Sequence, residues 1–239
     1  MQTRSDRTNE SGIFARRTQS LIFLLVFIVL LQFGYPITDY GEIWTGLYML
    51  LYAGMIFFGV LVVREEGQHP RGIILLGAVF ALFGVWFSFA QDSTPVTLAM
   101  LTSVAAFMLA LMLSLARFIF RRGAAVGIDL VTAAVCVYLI MGGFFGAIFA
   151  IVENVDPGSF EDPSTPGESP AWQQLVYYSY VTMATLGYGE ILPITAWARS
   201  LASFETVAGT LFLTIVVARL VGNWASASTA PSPPRPSRP

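Results

Sequence analysis

The sequence predicts an all-α membrane protein, with six transmembrane helices plus one shorter re-entrant helix. Three observations carry that prediction. Of 239 residues, 55% are hydrophobic and 12% charged, far from the balance of a soluble domain. Apolar runs of membrane-crossing length recur along the chain, since a helix needs roughly 20 residues to span a bilayer's hydrocarbon core. Between those runs the loops are alternately rich in arginine and rich in carboxylates, as when successive loops face opposite sides of a membrane.

The six apolar segments are residues 20–36, 43–63, 72–90, 96–118, 126–151 and 196–222. Six crossings place both termini on one side. All 13 basic residues are arginine. Arg4, Arg7, Arg16 and Arg17 precede the first segment, Arg64 and Arg71 lie between the second and third, Arg117, Arg121 and Arg122 follow the fourth, and Arg219, Arg235 and Arg238 come last. The other loops hold Asp39, Glu42, Asp92, Glu153, Asp156, Glu161, Asp162, Glu168 and Glu190 against Arg199 alone. The arginine side is therefore predicted to be the cytoplasm.

Four regions follow. Residues 1–19 form a cytoplasmic leader, whose Asp6 and Glu10 do not suit a cleaved signal peptide. Residues 20–122 form a four-helix membrane domain, 123–224 a second membrane domain, and 225–239 a Ser-, Ala- and Pro-rich tail expected to be disordered. The single cysteine, Cys136, sits in an apolar run and is read as packing. No nucleophile–base pair, phosphate loop or metal-ligand cluster suggests an enzyme, and nothing suggests a nucleic-acid partner or an attached ligand-binding domain.

The segment between the last two crossings differs from the other loops. Residues 154–170 are acidic and rich in Pro and Gly, a solvated turret. Residues 171–184 are amphipathic and aromatic, too short to cross a bilayer but long enough to dip into one. Thr185-Leu186-Gly187-Tyr188-Gly189 follows. Irregular backbone at membrane depth is tolerated only where protein covers it or where it lines a wet cavity. The two glycines permit dihedrals that turn successive carbonyls the same way. Four such strands around an axis would replace the water shell of a cation with rings of carbonyl oxygens, the Thr185 hydroxyl adding the innermost ring.

This segment resembles the potassium channel signature Thr-Val-Gly-Tyr-Gly-Asp, with Leu186 in place of the valine and Glu190 in place of the aspartate. Residues 123–224 then correspond to a pore domain of outer helix, turret, pore helix, filter and inner helix. The resemblance implies a homotetramer in membrane lipid, with permeant K+ bound at Thr185, Leu186, Gly187, Tyr188 and Gly189. Non-selective relatives commonly carry aspartate where this chain has Tyr188. Trp172, Tyr177, Tyr178 and Thr182 match pore-helix positions, and Tyr177-Tyr178 resembles the aromatic pair that cuffs the filter. Glu190 would sit at the outer mouth, its hydrogen-bond partner open. Pro193 matches a frequent family proline, and Glu153 stands where relatives often bond the filter's outer loop.

Several residues have two readings. Gly209 is either a gating hinge or a close-packing site, and Glu205 either faces the cavity or packs behind the filter as a structural carboxyl. Gly142, Gly143 and Gly146 mark tight helix contacts. Asp129 is expected as an interfacial charge at a helix end, Arg199 as a snorkelling anchor, and His69 as a solvated loop residue. The fourth segment holds only Arg117, so conventional voltage sensing is not expected. The resulting function is passive, potassium-selective permeation. The alternatives are a weakly selective cation channel of the same architecture, an ion-coupled transporter, which would carry four pore repeats where this chain has one, and a non-conducting membrane binding protein.

Overall fold

The computed structural model describes residues 2–34, 42–65, 70–89, 93–121 and 127–228. Seven helices account for most of them: α1 (Gln2–Gly34), α2 (Glu42–Glu65), α3 (Arg71–Phe89), α4 (Thr94–Phe120), α5 (Ile128–Val155), α6 (Trp172–Met183) and α7 (Ala196–Ser228). Two two-residue strands, β1 (Phe160–Glu161) and β2 (Leu192–Pro193), complete the set. Among the described residues, five stretches are long and apolar enough to cross a membrane: Arg16–Gly34, α3, α4, α5 and Ala196–Gly222. Over its described residues, α2 is not one of them.

Both ends of the chain differ from expectation. Helix α1 begins at Gln2 and so runs through the predicted leader. Helix α7 continues to Ser228, into the expected disordered tail. Ala is the strongest helix former and Ser a tolerable one, so Ala225–Ser228 can extend the helix until Pro231 approaches, a residue whose ring disfavours helix just before it. His69, Asp39, Asp92, Arg122 and residues 229–239 lie outside the described residues.

Helices α1 to α4 pack through aromatic side chains set against small ones. Phe107 and Leu111 of α4 are fully buried and lie against Gly59 of α2, and Phe107 also lies against Gly77 of α3. A side chain at Gly54 would collide with the ring of Phe27 in α1. Lipid offers apolar side chains nearly what a protein interior does, so association in a membrane depends on close approach of this kind.

The four-helix group is joined to α5 at several points. Met108 of α4 touches the Gly143 position, and the buried Cys136 thiol lies 3.9 Å from the Leu21 carbonyl. The strongest link is electrostatic. Arg17 of α1 donates to Asp129 at 2.9 Å from Nε and 2.5 Å from Nη2, and Thr18 donates to the other oxygen at 2.5 Å. Asp129, in the first turn of α5 as expected of a helix-end charge, is buried and paired. Three donors compensate its burial, which a lone carboxylate could not survive.

Candidate functional site

The site is assembled on α5. Gly142 and Gly146 leave a groove in its surface in which α6 lies, while Gly143 faces Met108 of α4: a Cβ on Gly142 would fall 2.3 Å from the Tyr180 ring, and one on Gly146 would fall 2.6 Å from the Val176 Cα. The expected tight contacts are thus made. Two hydroxyls on α6 then donate to carbonyls of α5, Ser179 to Gly142 at 2.7 Å and Tyr180 to Leu139 at 2.7 Å. A side chain on Gly142 or Gly146 would hold α6 too far away for either bond.

Helix α6 begins where the Gln174 side chain accepts the Ala171 N–H at 2.7 Å. It ends in a Schellman arrangement: Leu186 N–H bonds Val181 C=O at 2.9 Å, and Thr185 N–H bonds Thr182 C=O at 3.0 Å. The residue between them, Thr185, adopts the left-handed conformation such a cap requires, with φ 58°. Glycine normally fills that place, and a β-branched residue there is an outlier. Gly187 (φ 57°) and Gly189 (φ 89°) are also left-handed, while Leu186 and Tyr188 are not. Left-handed backbone therefore recurs at every second residue. Successive carbonyls of a β-strand point to opposite sides, whereas alternating right- and left-handed residues bring N–H groups to one side and carbonyls to the other. The glycines were legible as permissive positions; the strain at Thr185 was not.

The far end of the segment is tied down twice. The Tyr177 hydroxyl donates to Glu190 Oε2 at 3.1 Å, the partner that the sequence left open. Beyond Glu190, β2 pairs antiparallel with β1, with Phe160 opposite Pro193 and Glu161 opposite Leu192. Ile194 N–H bonds Ser159 C=O at 2.8 Å, and Arg199 Nε donates to Pro193 C=O at 3.1 Å. The turret is not wholly solvated: Ser159 and Phe160 are buried and anchor it, though most of the rest is exposed. Asp162, outside the membrane segments, accepts from the Ser164 hydroxyl and N–H, which hold its carboxyl below the usual carboxylate range.

Three further residues expected as support make contacts of their own. Glu153 directs its two oxygens to the Gly158 and Phe160 N–H groups, each at 2.9 Å, so it braces the turret and reaches the outer loop only through β1. The Tyr178 ring is buried between Phe149 and Phe160, with centroids 5.3 and 5.4 Å away, and with Tyr177 it lines the crevice beside Thr185, Gly187 and Gly189. Trp172 stands against Tyr48 of α2, 6.5 Å between centroids. Trp172 and Tyr178 share α6, a 12-residue helix that spreads its side chains around its circumference and so turns them to different neighbours, while Glu153 lies in the last turn of α5. Thr182 contributes its carbonyl to the α6 cap.

On α7, a Cβ at Gly209 would fall 2.6 Å from the Met183 side chain, so this glycine packs closely against the end of α6. Glu205 is fully buried behind α6 and contacts the Ser179 hydroxyl through Oε1, while Oε2 has no hydrogen-bond partner among the described residues.

Comparison with known proteins bears on α5, α6 and α7. Residues 133–224 match the family model described as "Ion channel". The inward rectifier potassium channel Kirbac3.1 of Paramagnetospirillum magnetotacticum is 30% identical over 89 residues, 36% of this chain and 26% of that protein. The potassium channel protein kcv of Paramecium bursaria Chlorella virus 1 is 32% identical over 59 residues, 23% of this chain and 63% of its own length. The chain thus spans about a quarter of the first relative and under two thirds of the second. No solved structure matches the chain. The similarity is to membrane ion channels, potassium channels among them, and not to enzymes.

Proposed function

We propose that four copies of this chain form a potassium-selective channel, with Thr185, Leu186, Gly187, Tyr188 and Gly189 of each contributing one strand of the filter. The observation that carries the reading is the alternation of left-handed backbone at residues 185, 187 and 189, directly after a short helix. Carbonyls aligned by that alternation suit a partly dehydrated cation, and a ring of four such strands supplies several coordination layers in sequence. The C-terminal, negative end of the α6 macrodipole adds to the attraction for a cation beside the filter.

Exposure supports the assembly. Residues 184–190 are exposed on the isolated chain, with Leu186 at 55% and Tyr188 at 65%. A crevice of about 300 Å³, lined by Tyr177, Val181, Thr182, Thr185, Gly187 and Glu190 among others, opens beside them. Apolar side chains turned outward on a segment between two spans call for a partner, and further copies around a four-fold axis supply it. In this reading α2 is a sixth crossing, both termini are cytoplasmic and K+ is the permeant substrate. Helix α4 carries Arg117 alone, so steep voltage dependence is not expected.

Potassium and sodium flux into liposomes holding the purified chain tests the proposal, beside a Gly187→Ala variant whose Cβ opposes the left-handed backbone. Potassium flux that exceeds sodium flux and is lost in the variant is the expected result. Equal sodium flux would replace this reading with the weakly selective channel. Activity indifferent to Gly187→Ala would end it.

A further inference from the structure

Glu205, Ser179 and Gly142 bring together one residue each from α7, α6 and α5. Both side chains are fully buried, and their hydrogens can be counted. A serine hydroxyl has one hydrogen to give and two lone pairs. The Gly142 carbonyl can only accept, and Ser179 Oγ lies 2.7 Å from it, so the serine hydrogen lies on that line. Ser179 Oγ also contacts Glu205 Oε1, and that second bond needs a hydrogen from the other side. Only a protonated carboxyl has one.

We infer that Glu205 is held as a neutral carboxylic acid that donates to Ser179, which donates to Gly142, a directed relay locking α7 and α6 onto α5. An ionised Glu205 would leave two acceptors facing each other and a charge at membrane depth, where such charges persist only when paired. No basic group pairs with it among the described residues: the titratable side chains whose charge reaches it are Tyr138 on α5 and Tyr178 and Tyr180 on α6, all acids themselves. The nearest charged residue preceding it on α7, Arg199, is bonded to the Pro193 carbonyl. Glu205 is thus a positioning residue, acting on the Thr185–Gly189 segment through α6. That role rests on the conduction reading, whereas the proton assignment does not.

Infrared spectroscopy of the full chain in liposomes reads the proton directly. A protonated-carboxyl C=O band at neutral pH, present in the parent and absent in Glu205→Gln, is expected; absence of that difference band overturns the inference, whether or not the protein conducts. Flux reads the relay. Glutamine has an N–H to donate to Ser179, so Glu205→Gln should keep potassium flux within about threefold, while Glu205→Ala and Ser179→Ala should each lower it about tenfold, the scale of one lost buried hydrogen bond. Loss of flux in the glutamine variant with flux retained in the alanine one would refute the relay. A parent with the band but no flux would count against conduction and leave the proton assignment standing.

Discussion

The Tyr177 hydroxyl and the Glu190 carboxylate meet at 3.1 Å, joining the middle of α6 to the residue that follows the Thr185–Gly189 segment. The segment is therefore held at both ends by the same helix, at its start by the cap on Val181 and Thr182 and at its end by Tyr177. Tyr177→Phe should lower assembly stability by about 0.5–1.5 kcal/mol and reduce potassium-over-sodium selectivity, while Glu190→Gln, which keeps an acceptor, should do less. Ion-ratio measurements on both variants decide it, and identical ratios in parent and Tyr177→Phe would remove the hydroxyl from the filter's support.

Thr185 carries strain that glycine would not. Left-handed backbone costs a residue with a Cβ about 1–2 kcal/mol, so Thr185→Gly should raise the thermal midpoint of the purified protein even as it removes the hydroxyl and impairs permeation. Thr185→Ser should keep most flux. A drop in midpoint for the glycine variant would mean that Thr185 is not left-handed.

Arg17 and Asp129 predict a double-mutant cycle. Arg17→Ala leaves a buried carboxylate short of a partner and should cost about 3–5 kcal/mol, whereas Arg17→Ala with Asp129→Asn should cost clearly less. Denaturation midpoints of the four proteins give the coupling. Additive losses would show that the pair does not join α1 to α5.

Gly142 predicts a rescue. Gly142→Ala drives a methyl into the Tyr180 ring and should destabilise by about 1–3 kcal/mol, with Ser179 and Tyr180 both pushed off their carbonyls. Adding Tyr180→Leu should recover part of the loss. If the second substitution makes matters worse by its full separate cost, α6 does not lie in that groove.

Much of the architecture was legible along the chain. Apolar runs of spanning length marked six of the seven helices to within a few residues, except where α1 and α7 extend outward, because membrane depth sets run length directly. The short helix expected over 171–184 and the permissive glycines at 187 and 189 were legible too, since length and the missing Cβ are properties of residues taken in order. Partnerships across the fold were not. That Arg17 reaches Asp129 over 112 positions, that Glu153 turns to Gly158 and Phe160, and that Glu205 meets Ser179 depend on which helix faces which. By itself the sequence determined where the long apolar helices lie and which short segment between two of them lacks regular structure. Tertiary structure alone decided which buried polar groups find each other, because hydrogen bonds reach only a few ångströms and take their partners from helix packing, not from sequence spacing.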